Sequence, residues 1–171
     1  MCYHDIPEHL NPFDYETFDK NPSKGYAVVT NIETGLAEYL PMKNMHRNID
    51  AVRASASMPL VSRPVEINGK LYLDGGLADS IPLLHAVTDG CRKNVVVMTK
   101  ETGYRRVQPK HLELIKARYA KYPKVYELMA NRAAAYNQQL DYLEAEVKNG
   151  TAFLIQPSHP NEVGRLSLIH I

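Results

Sequence analysis

The chain has 171 residues and a mass of 19.3 kDa, which is enough for one domain of ordinary size. Its 20 lysines and arginines nearly balance 19 aspartates and glutamates, so the net charge of +1 argues against a generally basic nucleic-acid-binding protein. Hydrophobic residues make up 44% of the sequence, but no apolar run approaches the ~20 residues that a membrane-spanning helix requires.

The N-terminus and the two cysteines bear on the cellular location of the protein. Residues 1–7 lack a basic region followed by an apolar stretch, so they do not have the pattern of a signal peptide. Cys2 and Cys91 lie far apart and form no metal-binding or redox motif. These features predict a reducing, cytoplasmic location.

The first part of the chain predicts an irregular segment, two strands and a short helix. Residues 1–22 contain three prolines that interrupt regular structure. Tyr26–Asn31 and Leu36–Leu40 are predicted strands on either side of a turn. Asn48–Ser57 is a predicted helix that ends before Pro59, because proline disfavours helical geometry in the residue that precedes it.

The clearest local signal is a β-hairpin over Val65–Leu73. Asn68 and Gly69 lie between alternating apolar residues, and this pair is typical of a type I′ turn with two positive φ angles. The second strand of the predicted hairpin continues directly into the sequence Asp74-Gly75-Gly76.

The second half of the chain has the pattern of an α/β protein. Leu83–Asp89 is a predicted short helix, and the continuous apolar character of Lys93–Thr99 predicts a strand covered on both faces. Pro109–Tyr122 and Lys124–Lys148 are predicted helices, and Thr151–Gln156 is the last predicted strand. Alternating helices and buried strands are typical of a largely parallel sheet.

Two expectations concern the extent of the domain. The predicted parallel strands are too few to complete a sheet, so we expect a fragment of an α/β domain whose first βαβ units are absent. Leu166–Ile171 matches a translated sequencing adapter, which leads to the hypothesis that residues 166–171 are readthrough rather than protein.

The segment around Asp74 carries a set of motifs that extends beyond this residue. Arg53–Pro59 precedes the hairpin, Asp74-Gly75-Gly76 follows it, and Asp79–Pro82 comes next. This order resembles the patatin-like phospholipase family, specifically its bacterial branch. Asn11–Phe18 and Val28–Asn31 also resemble that branch. By itself, Asp-Gly-Gly would be read as a turn whose glycines supply positive φ angles.

The resemblance implies a serine acyl-ester hydrolase with a Ser-Asp dyad and a role in lipid degradation. Asp74 would be the proton acceptor, Gly75 and Gly76 would complete its motif, and Ser57, Pro59 and Ser80 would support the site. It also implies a three-layer α/β sandwich with a mostly parallel sheet, of which residues 1–165 are the C-terminal portion. Its partner would be a lipid or ester substrate, with no cofactor.

The nucleophile of the family is missing from this sequence. It lies in a G-x-S-x-G motif at a sharp strand-to-helix turn, and none of the nine glycines here brackets a serine at that spacing. The family's glycine-rich loop is also absent. The chain alone is therefore predicted to be inactive, and the alternative function is a non-catalytic patatin-like module that binds lipid or a protein partner.

A basic segment and the histidines complete the candidate sites. Arg105–Lys124 is rich in lysine, arginine and tyrosine, which predicts either peripheral contact with an anionic membrane surface or a solvated helix face. The seven histidines do not cluster with other ligands, so no metal site is predicted. His85 could approach Asp74, but it is better explained as a helix residue.

Overall fold

The computed structural model describes residues 5–108, 110 and 112–160, without the side chains of Ile6 and Arg47. Residues 166–171, the subject of the readthrough hypothesis, lie outside the described part. Contacts divide the chain into two units. Unit 1 comprises Met1–Ser80 and Gln108–Arg132, and unit 2 comprises Ile81–Val107 and Ala133–Ile171.

The described residues form a mixture of helices and strands. A π-helical turn at Ile6–Leu10 precedes the first helix, and a 3₁₀ turn at Gly75–Leu77 follows the fourth strand. The other elements, in chain order, are α1 (Tyr15–Lys20), β1 (Tyr26–Asn31), β2 (Ala37–Pro41), α2 (Met45–Ser55), β3 (Val65–Ile67), β4 (Lys70–Asp74), α3 (Leu83–Thr88), β5 (Asn94–Val97), α4 (Leu112–Arg118), α5 (Pro123–Lys148) and β6 (Ala152–Ile155).

The sheet of unit 1 is antiparallel. Its four strands lie in the order β2-β1-β4-β3, with Val29 opposite Asp74 and Asn31 opposite Tyr72. The mixed α/β class is confirmed, but the expectation of a mostly parallel sheet is wrong for this one. The reason is local: β1–β2 and β3–β4 are joined by tight turns, which connect antiparallel neighbours, whereas parallel neighbours require a longer crossover.

The predicted hairpin is confirmed in detail. Asn68 has a φ of 51° and Gly69 has a φ of 76°, as a type I′ turn requires. Ile67 pairs with Lys70 across this turn, so the register of β3 against β4 follows directly from the two turn residues. This hairpin carries β4 to its end at Asp74, where the candidate site begins.

Helices pack on both faces of the unit 1 sheet. Tyr72 and Leu73 are neighbours in β4, so their buried side chains point to opposite faces. On the side of Tyr72, the core contains Ala54 from α2. On the side of Leu73, the core contains Ile115 from α4 and Val125 from α5. Burying these apolar surfaces against helices stabilises the sheet.

Several helix boundaries differ from the predictions. α1 was not predicted, and it begins after Asp14, whose side chain accepts a hydrogen bond from the Thr17 amide at 2.9 Å. α2 starts three residues before the predicted Asn48, which has non-helical dihedral angles and marks a kink inside the helix. α5 begins at Pro123, because proline is well suited to the first turn, where its missing amide costs no helical hydrogen bond.

Unit 2 contains a parallel pair of strands, β5 and β6. Val96 and Leu154 pack against a core that includes Leu140 and Leu143 of α5. The opposite face is open: the exposed fractions are 66% for Val95, 69% for Val97, 65% for Phe153 and 48% for Ile155. The prediction that both faces are covered is therefore wrong within the described residues, since only alternate residues of β5 face the core.

A polar cluster links three strands of the unit 1 sheet. Glu38 on β2 accepts hydrogen bonds from Asn31 Nδ2 at 2.9 Å and from the Tyr72 hydroxyl at 2.7 Å, and Lys70 Nζ lies 3.4 Å away. Partial burial raises the pKa of Glu38, but these donors outweigh it and hold the pKa below its usual value. Burial and the adjacent carboxylate raise the pKa of Tyr72 to about 12.

The cluster makes stability depend on pH at both extremes. A lowered pKa means that Glu38 stabilises the fold above its usual value of 4.5 and loses this contribution as pH falls through its folded-state pKa. A raised pKa means that neutral Tyr72 stabilises the fold below pH 10, and this contribution is lost as pH rises towards about 12.

Replacing Tyr72 by Phe tests this cluster. We expect Tyr72→Phe to lower the free energy of unfolding by about 1.5–3 kcal/mol at neutral pH, because a hydrogen bond to a charged group is lost. The loss should shrink in acid, where Glu38 becomes protonated. Urea unfolding at neutral and at acidic pH measures this loss. Tyr26→Phe, which changes a half-exposed tyrosine, is the control. An equal loss at both pH values would contradict the assignment.

Candidate active site

Asp74 is held in place by both its main chain and its side chain. Its amide donates to the Ser57 carbonyl at 2.8 Å, and its own carbonyl accepts from the Thr30 hydroxyl at 2.8 Å. The Asp74 Oδ1 atom accepts from the Gly76 amide at 2.7 Å. No donor to the other carboxylate oxygen, Oδ2, is found in the described part of the chain. The half-buried carboxylate therefore has one anchored oxygen and one that can accept a proton.

Gly75 is required because the chain passes very close to β1. A Cβ atom at Gly75 would lie 2.3 Å from the Val28 carbonyl oxygen and 2.8 Å from the Val28 Cβ. Neither distance is compatible with a side chain, so only glycine fits here. Neither Gly75 nor Gly76 has a positive φ, so the interpretation of the motif as a turn that needs such angles is wrong.

Gly76 leaves room for the carboxylate. A Cβ atom at Gly76 would lie 3.0 Å from Asp74 Oδ1 and 3.7 Å from Arg132 Nη2. A methyl group would therefore push on the Asp74 carboxylate itself, not on the sheet behind it. The two glycines thus have different roles: Gly75 permits contact with β1, and Gly76 permits the hydrogen bond between its own amide and Asp74.

The carbonyl of Gly76 is held by two side chains. Ser80 Oγ donates to this oxygen at 2.7 Å, and Arg132 Nε donates to it at 3.3 Å. Ser80, one of the predicted supporting residues, therefore contacts the motif directly. Arg132, on α5, was missed because it lies 56 positions from Gly76 and no motif marks it. Only the packing of α5 in unit 1 brings its guanidinium to this turn.

Ser57 and Thr30 support Asp74 from two sides. Ser57 is buried, and its hydroxyl donates to the Arg53 carbonyl at 2.7 Å at the end of α2. Pro59, the other predicted supporting residue, is half-buried two positions later. Thr30 is fully buried and also accepts a hydrogen bond from the Ala78 amide at 3.2 Å. Thr30 was missed because a threonine inside a strand carries no signal of such a role.

His85 contacts Asp89, the residue that follows its own helix α3. Its Nε2 lies 3.4 Å from Asp89 Oδ2, one helical turn away in unit 2. Across the described residues, no three His, Cys, Asp or Glu side chains are grouped as metal ligands. Nor does this part of the chain include a helix long and apolar enough to cross a membrane.

The basic segment Arg105–Lys124 does not form one continuous helix face. Arg105 forms ion pairs with Asp141 and Glu144 in unit 2. In unit 1, Lys124 pairs with Glu127, and Tyr119 is buried in the core. Other cations lie over aromatic rings, namely Arg106 over Tyr136, Lys116 over Tyr126 and Arg118 over Tyr119. These contacts give most of the segment a structural role within each unit.

Two family models match parts of the chain. Residues 7–87 match patatin-like phospholipase, and residues 122–167 match a domain of unknown function, DUF6363. The resemblance drawn from the sequence is thus confirmed over residues 7–87, which relates them to hydrolases of lipid esters. The first match contains Asp74 and the predicted supporting residues Ser57, Pro59 and Ser80, and the second contains Arg132.

One curated protein provides a further similarity. It is described as uncharacterized protein YjjU of Escherichia coli strain K12, and it is 39% identical to this chain over 62 residues. The aligned region covers 36% of this chain and 17% of that protein. The chain therefore spans well under two thirds of the relative that it matches.

Alanine substitutions separate the roles of the two glycines. We expect Gly75→Ala to destabilise the fold by about 3 kcal/mol, because the new methyl group would overlap the backbone of β1. Gly76→Ala should cost about 1 kcal/mol and shift the Gly76 amide resonance, because it displaces the Asp74 carboxylate. Chemical denaturation and amide NMR spectra measure these effects.

Gly25→Ala provides the matched control. A Cβ atom at Gly25 would lie 3.5 Å from Met42 Cβ, an ordinary contact distance, and Gly25 has no positive φ. This variant should retain the stability of the parent chain. A Gly75→Ala variant as stable as Gly25→Ala would show that the approach to Val28 is not a real constraint.

Proposed function

We propose that this chain, whose residues 7–87 match the patatin-like phospholipase family, contributes the carboxylate of a Ser-Asp dyad to a lipid acyl-ester hydrolase. Asp74 would act as the base, and the serine would come from sequence outside these residues. The observation that carries the proposal is the anchoring of Asp74 Oδ1 by the Gly76 amide, with Oδ2 left to accept a proton.

The proposed chemistry is acyl transfer through an activated serine. A serine hydroxyl is a weak nucleophile until a neighbouring base accepts its proton. Asp74 would take that proton as the serine oxygen bonds to the ester carbonyl carbon, and would return it to the alkoxide that leaves. Water would then release the acyl group by the same exchange. The hydrogen bonds around Asp74 favour this role, because they fix the carboxylate before the substrate arrives.

We further propose that residues 1–165 form the C-terminal portion of a larger patatin-like domain with a mostly parallel sheet. Parallel sheets are normally covered on both faces, yet the described residues leave Val95, Val97, Phe153 and Ile155 exposed. Additional strands and helices would extend the β5–β6 pair and cover this surface. The short stretch shared with the Escherichia coli relative is consistent with a longer complete protein.

The proposed setting is the cytoplasm, with reversible contact at a lipid surface where the substrate would be found. Lys110 and Lys121 are exposed and could meet lipid phosphates without breaking an ion pair recorded among the described residues. The basic charge in this region favours an anionic surface. Flotation with vesicles of defined phosphatidylglycerol content would measure this contact.

A second candidate function is a non-catalytic module that binds lipid or a protein partner. The absence of G-x-S-x-G from the sequence favours this alternative. The two candidates assign different roles to Asp74. In the enzyme, Asp74 is the catalytic base and turnover requires it, whereas in a binding module Asp74 has a structural role and no turnover occurs.

Hydrolysis by a longer protein tests the enzymatic proposal. If the genomic reading frame upstream supplies a G-x-S-x-G segment, the extended protein should hydrolyse p-nitrophenyl esters. Asp74→Asn should lower kcat by about 10²–10⁴-fold, the usual contribution of a general base. The change is nearly isosteric, so melting temperature should change little.

Glu66→Gln is the matched control, because it converts an exposed carboxylate on the neighbouring strand β3 into the same amide. It should leave kcat unchanged. Full activity in a folded Asp74→Asn variant would refute the dyad. Absence of any upstream G-x-S-x-G segment would instead favour the binding module.

A further inference from the structure

The loop of residues 58–64, between α2 and β3, exposes two neighbouring apolar side chains. The exposed fractions are 47% for Leu60 and 64% for Val61. A single exposed apolar residue is ordinary on a protein surface, whereas two adjacent ones form a small continuous apolar surface. Neither side chain belongs to the apolar clusters that pack on the unit 1 sheet. The loop therefore presents apolar surface that the described fold does not use.

Leu60 is held in a strained backbone conformation. Its φ is 68°, in the left-handed region that bulky residues rarely adopt. Its amide donates a hydrogen bond to the hydroxyl of the buried Tyr119 at 3.3 Å, and the Ser62 amide donates to the Met58 carbonyl at 2.9 Å. Strain of this kind persists only where surrounding contacts impose it, and it is concentrated at functional positions. Here these contacts fix the loop at the point where the apolar pair is exposed.

The surface around this pair is positively charged. The loop and residues 114–122, which include Tyr119, contain no aspartate or glutamate. Their four cations are all exposed, and none forms an ion pair recorded among the described residues: Arg63, Lys116, Arg118 and Lys121. Counting the flanking acids Glu66 and Glu113 still leaves a net positive charge. The apolar pair and the cations together suit an anionic surface with an apolar interior.

The loop also lies beside the candidate active site. The Ser57 carbonyl accepts the hydrogen bond from the Asp74 amide, and Leu60 follows Ser57 by three residues, which span at most about 11 Å. Burial of the loop under further protein would be costly, because four charges without ion pairs would lose water. A lipid surface is different, since its phosphates would pair with these charges.

We infer that the 58–64 loop inserts Leu60 and Val61 into the surface of an anionic lipid bilayer, while the four surrounding cations contact lipid phosphates. This inference deepens the proposed function and rests on it, because a lipid-ester substrate would be drawn from that surface. It names the part of unit 1 that enters the bilayer and places it next to Asp74.

Flotation of the full chain with vesicles measures the contribution of the apolar pair. Leu60→Asn/Val61→Thr removes apolar surface but preserves the loop, because asparagine adopts a positive φ more readily and threonine has the shape of valine. With vesicles of equal parts phosphatidylglycerol and phosphatidylcholine, we expect about tenfold weaker binding. The melting temperature should stay the same or rise as strain is relieved. Phosphatidylcholine vesicles should bind the parent chain at least tenfold more weakly.

Leu10→Asn is the matched control for the loss of an exposed leucine. Leu10 is also exposed, but it follows Glu8, which lies 3.7 Å from His46 in the first turn of α2, whereas the loop follows the last turn. This variant should bind the mixed vesicles as the parent chain does.

A tryptophan substitution tests insertion directly, because the chain contains no tryptophan. Val61→Trp should give fluorescence that is quenched by vesicles with brominated acyl chains, and Leu10→Trp should not. Absence of quenching in vesicle-bound Val61→Trp, or equal flotation of the parent chain and a folded Leu60→Asn/Val61→Thr variant, would overturn the inference. Failure of the parent chain to bind the mixed vesicles would overturn it too, and would favour a protein partner for this loop.

The binding measurement is separate from the test of the dyad. Asp74→Asn should bind vesicles as the parent chain does, because flotation requires no hydrolysis. Loss of lipid insertion with an active dyad would refute only the role of the loop. An inactive dyad with normal flotation would leave that role in place.

Discussion

Gly75 lies against the backbone of β1 at a distance that no side chain would allow, and the geometry around Asp74 depends on this approach. It lets β4 end beside β1, where the buried Thr30 hydroxyl reaches the Asp74 carbonyl. The chain then turns tightly enough for the Gly76 amide to meet the Asp74 carboxylate. A larger residue at position 75 would disrupt all of these contacts at once, because each of them depends on the same close approach of Gly75 to β1.

The rest of unit 1 maintains this close approach of Gly75 to β1. The segment just after α2 supplies the Ser57 carbonyl, which accepts a hydrogen bond from the Asp74 amide, and α5 supplies the Arg132 guanidinium, which reaches the Gly76 carbonyl. These helices pack on opposite faces of the sheet through the two core clusters that flank β4. The apolar packing therefore fixes the polar contacts, because a shift of either helix would lengthen a hydrogen bond to the same four-residue segment, Asp74–Leu77.

The parts of the fold that the sequence could predict are those set by neighbouring residues. Asn68 and Gly69 predict the hairpin because their backbone preferences are local, whereas Asp-Gly-Gly was recognised only through the other motifs that surround it. Thr30 and Arg132 could not be predicted, since their contacts with the motif span 44 and 56 positions. The exposed side of β5 was also missed, because a continuous apolar run does not reveal which alternate residues face a core. The role of Gly75 could not be predicted either, because it depends on the distance from Gly75 to β1, a strand that is remote in sequence.

The most direct test of this account is the distance between Asp74 Oδ2 and the nucleophilic serine oxygen in a crystal structure of the extended protein. We predict a hydrogen bond of about 2.6–3.2 Å, with Oδ1 still bound to the Gly76 amide. A serine paired with a different residue, or an Asp74 carboxylate turned away from it, would contradict the proposed dyad. That result would leave Asp74 as a structural residue of the turn that follows β4.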